Sequence, residues 1–254
     1  PTLVKYADKV PYLVASCADA VFDDQKVELK PEKEIDWCNL VRFDKNAENF
    51  ILAAASFRKG QQSFAKALEA IKTVSVNEKQ RLAKKILGGM DEHDQPIREM
   101  EYANFTFDLT LDQGAYYELK RHRMMTQSPQ PCTPWLGFAT PRAMVDAGME
   151  DEYRNAMEQA AFVYEELEKV LPHVGSYILP NGYNRRVLVE FNLRTAFHLL
   201  RLRTEPSAHF SMRRVAQRMA EEIRRVTPIL GAYLKVNGEE DWHGIQEVFF
   251  HSVR

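Results

Sequence analysis

The chain has 254 residues, 45% of them hydrophobic and 28% charged, with a formal net charge of -2. That length can bury one sizeable core, and the balanced charge excludes a general attraction to nucleic acid or to an anionic membrane. No apolar stretch approaches the roughly 20 residues that span a bilayer and no signal-like segment opens the chain, so a soluble, cytoplasmic protein is expected.

Residues 1–24 carry apolar side chains at helical spacing, Leu3, Tyr6, Val10, Leu13 and Val14, and run into a charged stretch, 23–36, that reads as a linker. This predicts an N-terminal helical extension over 1–33 ahead of one domain over 34–254. An opening on Pro1 rather than methionine fits a processed product or one segment of a longer polypeptide. Asp44 reads as the cap of a helix reaching Phe57, and 63–73 and 77–87 are further amphipathic helices, the last stopped by Gly88-Gly89. From Tyr102 to Leu111 apolar and polar residues alternate, with Phe105, Phe107, Leu109 and Leu111 on one side, the clearest strand pattern in the chain.

A helical run over 114–120 then ends at Arg121-His122-Arg123, just before a proline-rich loop over 128–134. Three adjacent side chains that can all carry positive charge suit a phosphate-rich ligand. Two guanidiniums offer planar forks to phosphate oxygens, and the imidazole between them can hydrogen-bond, stack or titrate near neutral pH. The plainer alternative is a solvated helix end that complements the helix dipole.

Residues 148–172 form a long amphipathic helix broken by Pro172, with a Met and Tyr stripe that reads as core or subunit interface. A short extended segment at 176–180 and a second strand at 185–190 follow. From Phe191 to Arg203 apolar residues recur at helical spacing, with Asn192, Arg194, His198 and Arg203 between them. A last helix over 208–226 turns Phe210, Val215, Met219, Ile223 and Val226 inward and presents Arg213, Arg214, Arg218, Glu221, Glu222, Arg224 and Arg225 as a solvated face. These elements predict an α+β fold, a mixed sheet flanked by long helices. Cys17, Cys38 and Cys132 are too scattered for a disulfide framework or zinc site, and His93, His173, His209, His243 and His251 show no metal-ligand spacing, so no metal is expected. Cys132 could be a thiolate activated by Arg121 and Arg123; the plainer reading is a loop cysteine.

Arg121-His122-Arg123 and the helix bearing Asn192-x-Arg194 together resemble the flavin-dependent thymidylate synthases, whose motif runs Arg-His-Arg, a seven-residue spacer, then Ser, and whose later helix carries Asn-x-Arg and a Leu-Arg pair. The resemblance spans 34–228, including 41–56 and the stretch from His93 through Pro96 and Glu101 to Phe105-Thr106-Phe107. It implies methylation of dUMP with FAD, NADPH and methylenetetrahydrofolate, in a homotetramer with the flavin between subunits, or by pairing with a related domain. On the matching positions Arg121, His122, Arg123, Asn192, Arg194 and His198 would hold FAD, His198 standing where asparagine is usual. Glu118, in place of the usual glutamine, would meet dUMP with Arg121 and Arg203, and Arg203 would be the catalytic residue that stabilises the ring anion. In the loop, Pro129, Pro131 and Thr133 replace an acid, a serine and the phosphate-binding arginine, and Ser176 replaces a further arginine. A proline has neither a backbone N–H nor a side-chain donor for an anion. The alternative implied by those changes is a catalytically degenerate scaffold, or the FAD-binding half of a tandem protein.

Overall fold

The computed structural model describes residues 36–91, 93–171 and 174–253, so the helical extension expected over 1–33, the break at Pro172 and His173 lie outside the described residues. Trp37–Arg254 forms one compact unit. Its frame is a four-stranded sheet in the order β1-β2-β5-β3, made of β1 (Cys38–Phe43), β2 (Asn104–Asp112), β3 (Thr126–Pro129) and β5 (Asn184–Asn192). The α+β architecture is the expected one, but every pairing is antiparallel, where a mixed sheet was expected. β2 and β5 are joined by a long excursion that returns β5 alongside β2 in the opposite sense, aligning Asn104 with Asn192 and Asp112 with Asn184.

The alternation read along 102–111 is realised on β2, and Val187, Val189 and Phe191 face the same core from β5. Phe107 stacks on Phe191 with ring centroids 5.8 Å apart. Each such side chain contributes about 1.5–3 kcal/mol by leaving water, which fixes the register, since a slip of one residue would turn this row to the other face.

Two strand ends become helix caps. Asp112 accepts the Ala115 N–H at 2.9 Å and starts α4 (Gln113–Leu119), which follows α1 (Ala47–Lys59), α2 (Phe64–Thr73) and α3 (Val76–Leu87). Asn192 accepts the Thr195 N–H at 2.9 Å and starts α7 (Leu193–Arg203), after the short α5 (Arg142–Asp146) and the long α6 (Glu150–Val170). Phe191 and Asn192 therefore end a strand and do not begin the helix. Because β2 and β5 are antiparallel, α4 and α7 leave from opposite ends of the sheet.

Three local expectations change. Thr126–Pro129 of the presumed loop is β3, paired with β5, since Pro129 at its end needs no ladder N–H. The segment 176–180 is not extended; Gly175–Tyr177 is a 3-10 turn. The charged face of α8 (Phe210–Val226) is not wholly solvated: Arg213, Arg214 and Glu222 are buried. The cause lies downstream, where α9 (Trp242–Phe249) packs over it, and β6 (Phe250–Ser252) pairs with β4 (Thr140–Pro141). Arg214 lies over the Trp37 ring at 3.7 Å and donates to Gln246 at 2.9 Å, while Arg213 pairs with Glu240 at 3.0 Å.

Candidate functional site

Side chains four apart on a helix share a face, so Arg194, His198 and Leu202 form a row along α7. The chain leaving α4, Arg121 to Met124, lies beside that row, tied to it by a hydrogen bond from the Thr195 hydroxyl to the Met124 carbonyl at 3.3 Å. Between them is a cavity of about 690 Å³ lined by Arg121, His122, Arg123, Asn192, Arg194, His198 and Arg203 together with Gln95, Arg98, Glu101, Met124, Thr195 and Leu202. Seven of the eight residues singled out from sequence thus line one cavity.

Its electrostatics are one-sided, with five arginines against the single carboxylate of Glu101. Glu101 is divided between Arg98 at 3.2 Å and Arg194 at 3.1 Å, and the Arg98 hydrogen bond is the main reason its carboxyl lies below its ordinary pKa. Arg194 also donates to the Pro96 carbonyl at 3.1 Å. Arg121 and Arg123 have no side-chain partner among the described residues, leaving two forks for an anion. Sequence reasoning noted Pro96 and Glu101 as matching positions but gave Gln95 and Arg98 no role; the charge of Arg98 three residues before Glu101 was the available signal.

The eighth residue, Glu118, lines a second cavity of about 470 Å³ with Tyr117, Arg121, Tyr153, Asn181, His209, Phe210 and others. Arg121 faces both spaces. Glu118 and Arg203 join across the partition: Arg203 Nη1 meets Glu118 Oε2 at 2.8 Å, its Nη2 donates to the Glu118 carbonyl at 3.3 Å, and its Nε donates to His122 Nε2 at 2.9 Å. The other carboxylate oxygen accepts the His209 N–H at 3.2 Å. His122 is buried, and burial first, then the nearby Arg203 and His198, push its pKa down to about 4. It is a neutral imidazole at pH 7.

Pro129, Pro131, Thr133 and Ser176 line neither cavity. The loop is pinned to β5 instead, where the Gln130 N–H bonds to the Arg186 carbonyl at 2.9 Å. Cys132 packs with Met157 and Tyr183, and burial raises its thiol pKa despite Arg185 nearby, the opposite of what an activated nucleophile needs. Among the described residues no group of three His, Cys, Asp or Glu could hold a metal ion, and no helix is long and apolar enough to cross a membrane.

The sequence profile of the family described as thymidylate synthase complementing protein matches residues 39–229. A UPF0159 protein of Chlamydia muridarum is 33% identical over 198 residues, covering 77% of this chain but only 37% of the relative. A flavin-dependent thymidylate synthase of Sulfolobus acidocaldarius is 27% identical over 146 residues, 54% of this chain and 56% of the relative. Among solved structures, the UMP/dUMP methylase PolB from Streptomyces cacaoi, bound with 5-Br dUMP, superposes with a TM-score of 0.59 at 16% identity, over 77% of this chain and 93% of that one. That last likeness is one of fold.

Proposed function

From a chain that belongs to the thymidylate synthase complementing protein family, we propose a flavin-dependent thymidylate synthase, transferring a one-carbon unit from methylenetetrahydrofolate to dUMP with NADPH as reductant. The observation that carries this reading is the convergence of Arg121, His122, Arg123, Asn192, Arg194, His198 and Arg203 on one cavity whose five arginines face one carboxylate. The residues fit a pyrophosphate-bearing flavin: the guanidiniums of Arg121 and Arg123 have no side-chain partner among the described residues, and the cavity volume lies within the range of cofactor sites.

In this reading Arg121, Arg123 and Arg194 bind the FAD anion, while Asn192, His122 and His198 supply amide and imidazole contacts. Bound FAD supplies the hydride chemistry. Glu118, Arg121 and Arg203 receive dUMP at the partition between the cavities. Among the described residues three of the five Arg203 N–H groups have partners, so two remain to donate to a pyrimidine oxygen and stabilise negative charge on the ring. Purified protein should be yellow, with a flavin absorption spectrum that saturates on FAD titration. A colourless protein with no affinity for FAD sinks the reading.

A second reading is favoured by one observation: the Glu118 carboxylate already neutralises Arg203 at 2.8 Å. A member that keeps the fold and flavin cavity but scaffolds a related partner domain would bind FAD without turning over dUMP. Single-turnover reduction of bound FAD followed by addition of folate and dUMP separates the two, since only the enzyme reoxidises the flavin with formation of dTMP.

A further inference from the structure

The contact between the two cavities is a chain of three side chains whose donor and acceptor roles are forced. An arginine Nε–H can only donate, so the 2.9 Å contact makes His122 Nε2 a bare acceptor. A neutral imidazole has one N–H, and here it must sit on Nδ1. That is the less common tautomer of a free histidine side chain, so something must hold Arg203 in place to impose it. Glu118 does this with two contacts, its carboxylate on Nη1 and its carbonyl oxygen on Nη2. The carboxylate is itself fixed from the far side by the His209 N–H at the start of α8.

We propose that Glu118 is a positioning residue which, acting through Arg203 from the second cavity, makes His122 a neutral, fixed Nδ1–H donor for an acceptor atom of the ligand in the arginine-lined cavity. Arg203 is 16% and Glu118 21% exposed in their side chains, so solvent screens the pair only partly. Among the described residues no protein acceptor takes the Nδ1–H. The charged and titratable groups against His122 are Arg203 and His198 on α7 and, through Arg203, Glu118 on α4. Burial first, then the nearby Arg203 and His198, keep it uncharged. The matching ligand class is an anion whose ring also carries a carbonyl oxygen or imine nitrogen, as a flavin does. This inference rests on the flavin reading for the ligand, though not for the tautomer.

Long-range proton–nitrogen correlation of the imidazoles in uniformly nitrogen-15-labelled protein reports tautomers directly, with His122→Gln identifying the signal. At pH 7, without flavin, His122 should give the Nδ1–H pattern. Glu118→Ala should move it towards the Nε2–H pattern, and Arg203→Lys, which keeps the charge but lacks the fork, should do the same. Glu118→Gln, whose amide oxygen still accepts from Arg203, should retain Nδ1–H. An Nε2–H or doubly protonated His122 in the parent overturns the proposal, as does an unchanged Nδ1–H in Glu118→Ala. Flavin titration of the same samples keeps the two readings apart. If FAD does not bind but the tautomer follows Glu118, only the flavin reading fails; if FAD binds and the tautomer ignores Glu118, only the positioning role fails.

Discussion

Arg194 is the residue on which cofactor affinity should depend most visibly. It faces the cavity, yet it is held at 3.1 Å from Glu101 and so also neutralises the one carboxylate there. Arg194→Ala removes a charge-assisted contact and leaves Glu101 with Arg98 alone to offset its charge. At roughly 1.5–3 kcal/mol for such a contact, FAD affinity should fall about ten- to a hundredfold, measured by fluorescence quenching. An unchanged dissociation constant contradicts the assignment. His122 makes a second prediction, on stability. Its folded pKa of about 4 lies below the ordinary value near 6.5, so the unfolded chain takes up the proton first. The stability of the neutral folded form is therefore complete above about pH 6.5 and lost as pH falls towards 4, a loss of about 3 kcal/mol from this group. In His122→Gln that part of the acid dependence of the urea midpoint should vanish, and a parent-like slope between pH 6.5 and 4 in the variant would assign the loss elsewhere.

Among the elements, those whose pattern is local were legible in the sequence. The alternation of Phe105, Phe107, Leu109 and Leu111 identified β2 and its buried face, and the Arg121-His122-Arg123 and Asn192-x-Arg194 spacings, with His198 and Arg203 further along the same helix, picked out seven residues that line one cavity. What escaped depends on contacts between distant segments. The Glu118–Arg203 pair arises only when α4 and α7 leave opposite ends of the sheet, and neither side chain signals the other in sequence. The same holds for α8, where seven charged residues mimic a solvated face until α9 covers part of it. Arg214 tests this directly, because it is buried over Trp37 and bonded to Gln246. Arg214→Ala should cost about 2–4 kcal/mol, through lost packing, a cation–π contact and an unpaired neighbour. Lys169→Ala on α6, whose pair with Glu166 is exposed, should stay within about 0.5 kcal/mol. Denaturant melts at unchanged m compare them; equal effects would return the arginines of α8 to a solvated role.

At the scale of the whole molecule, the proposed function ties association to phosphate recognition. α6 buries only Met157 and Ala160, while Phe162 is 64%, Val170 74% and, in the following turn, Tyr177 89% exposed. Exposed aromatic and aliphatic side chains along one long helix suit a subunit interface, and light scattering of the intact chain should show an oligomer, with a tetramer expected. On the proposed reading, phosphate recognition draws on that oligomer. Among the described residues the second cavity sets the carboxylates of Asp112 and Glu118 against one arginine, Arg121, an unfavourable balance for a phosphate dianion. Pro129 pairs with Val187 of β5, and Pro129, Pro131 and Thr133 line neither cavity of their own chain. Losing one charged and one neutral contact costs about 3–4 kcal/mol, enough to turn a micromolar ligand into a roughly millimolar one. Calorimetry should therefore find dUMP and deoxyuridine binding about equally and weakly. Restoring Pro131→Ser with Thr133→Arg should favour dUMP selectively, and because those positions line neither cavity of their own chain, the gain should appear only in the associated form and disappear when Phe162→Asp on α6 breaks the oligomer. Micromolar dUMP binding with a clear preference over deoxyuridine in the unmodified protein would mean that other cations, Arg121 first among them, already serve the phosphate. A gain that survives in the monomer would place the restored arginine in the cavity of its own chain.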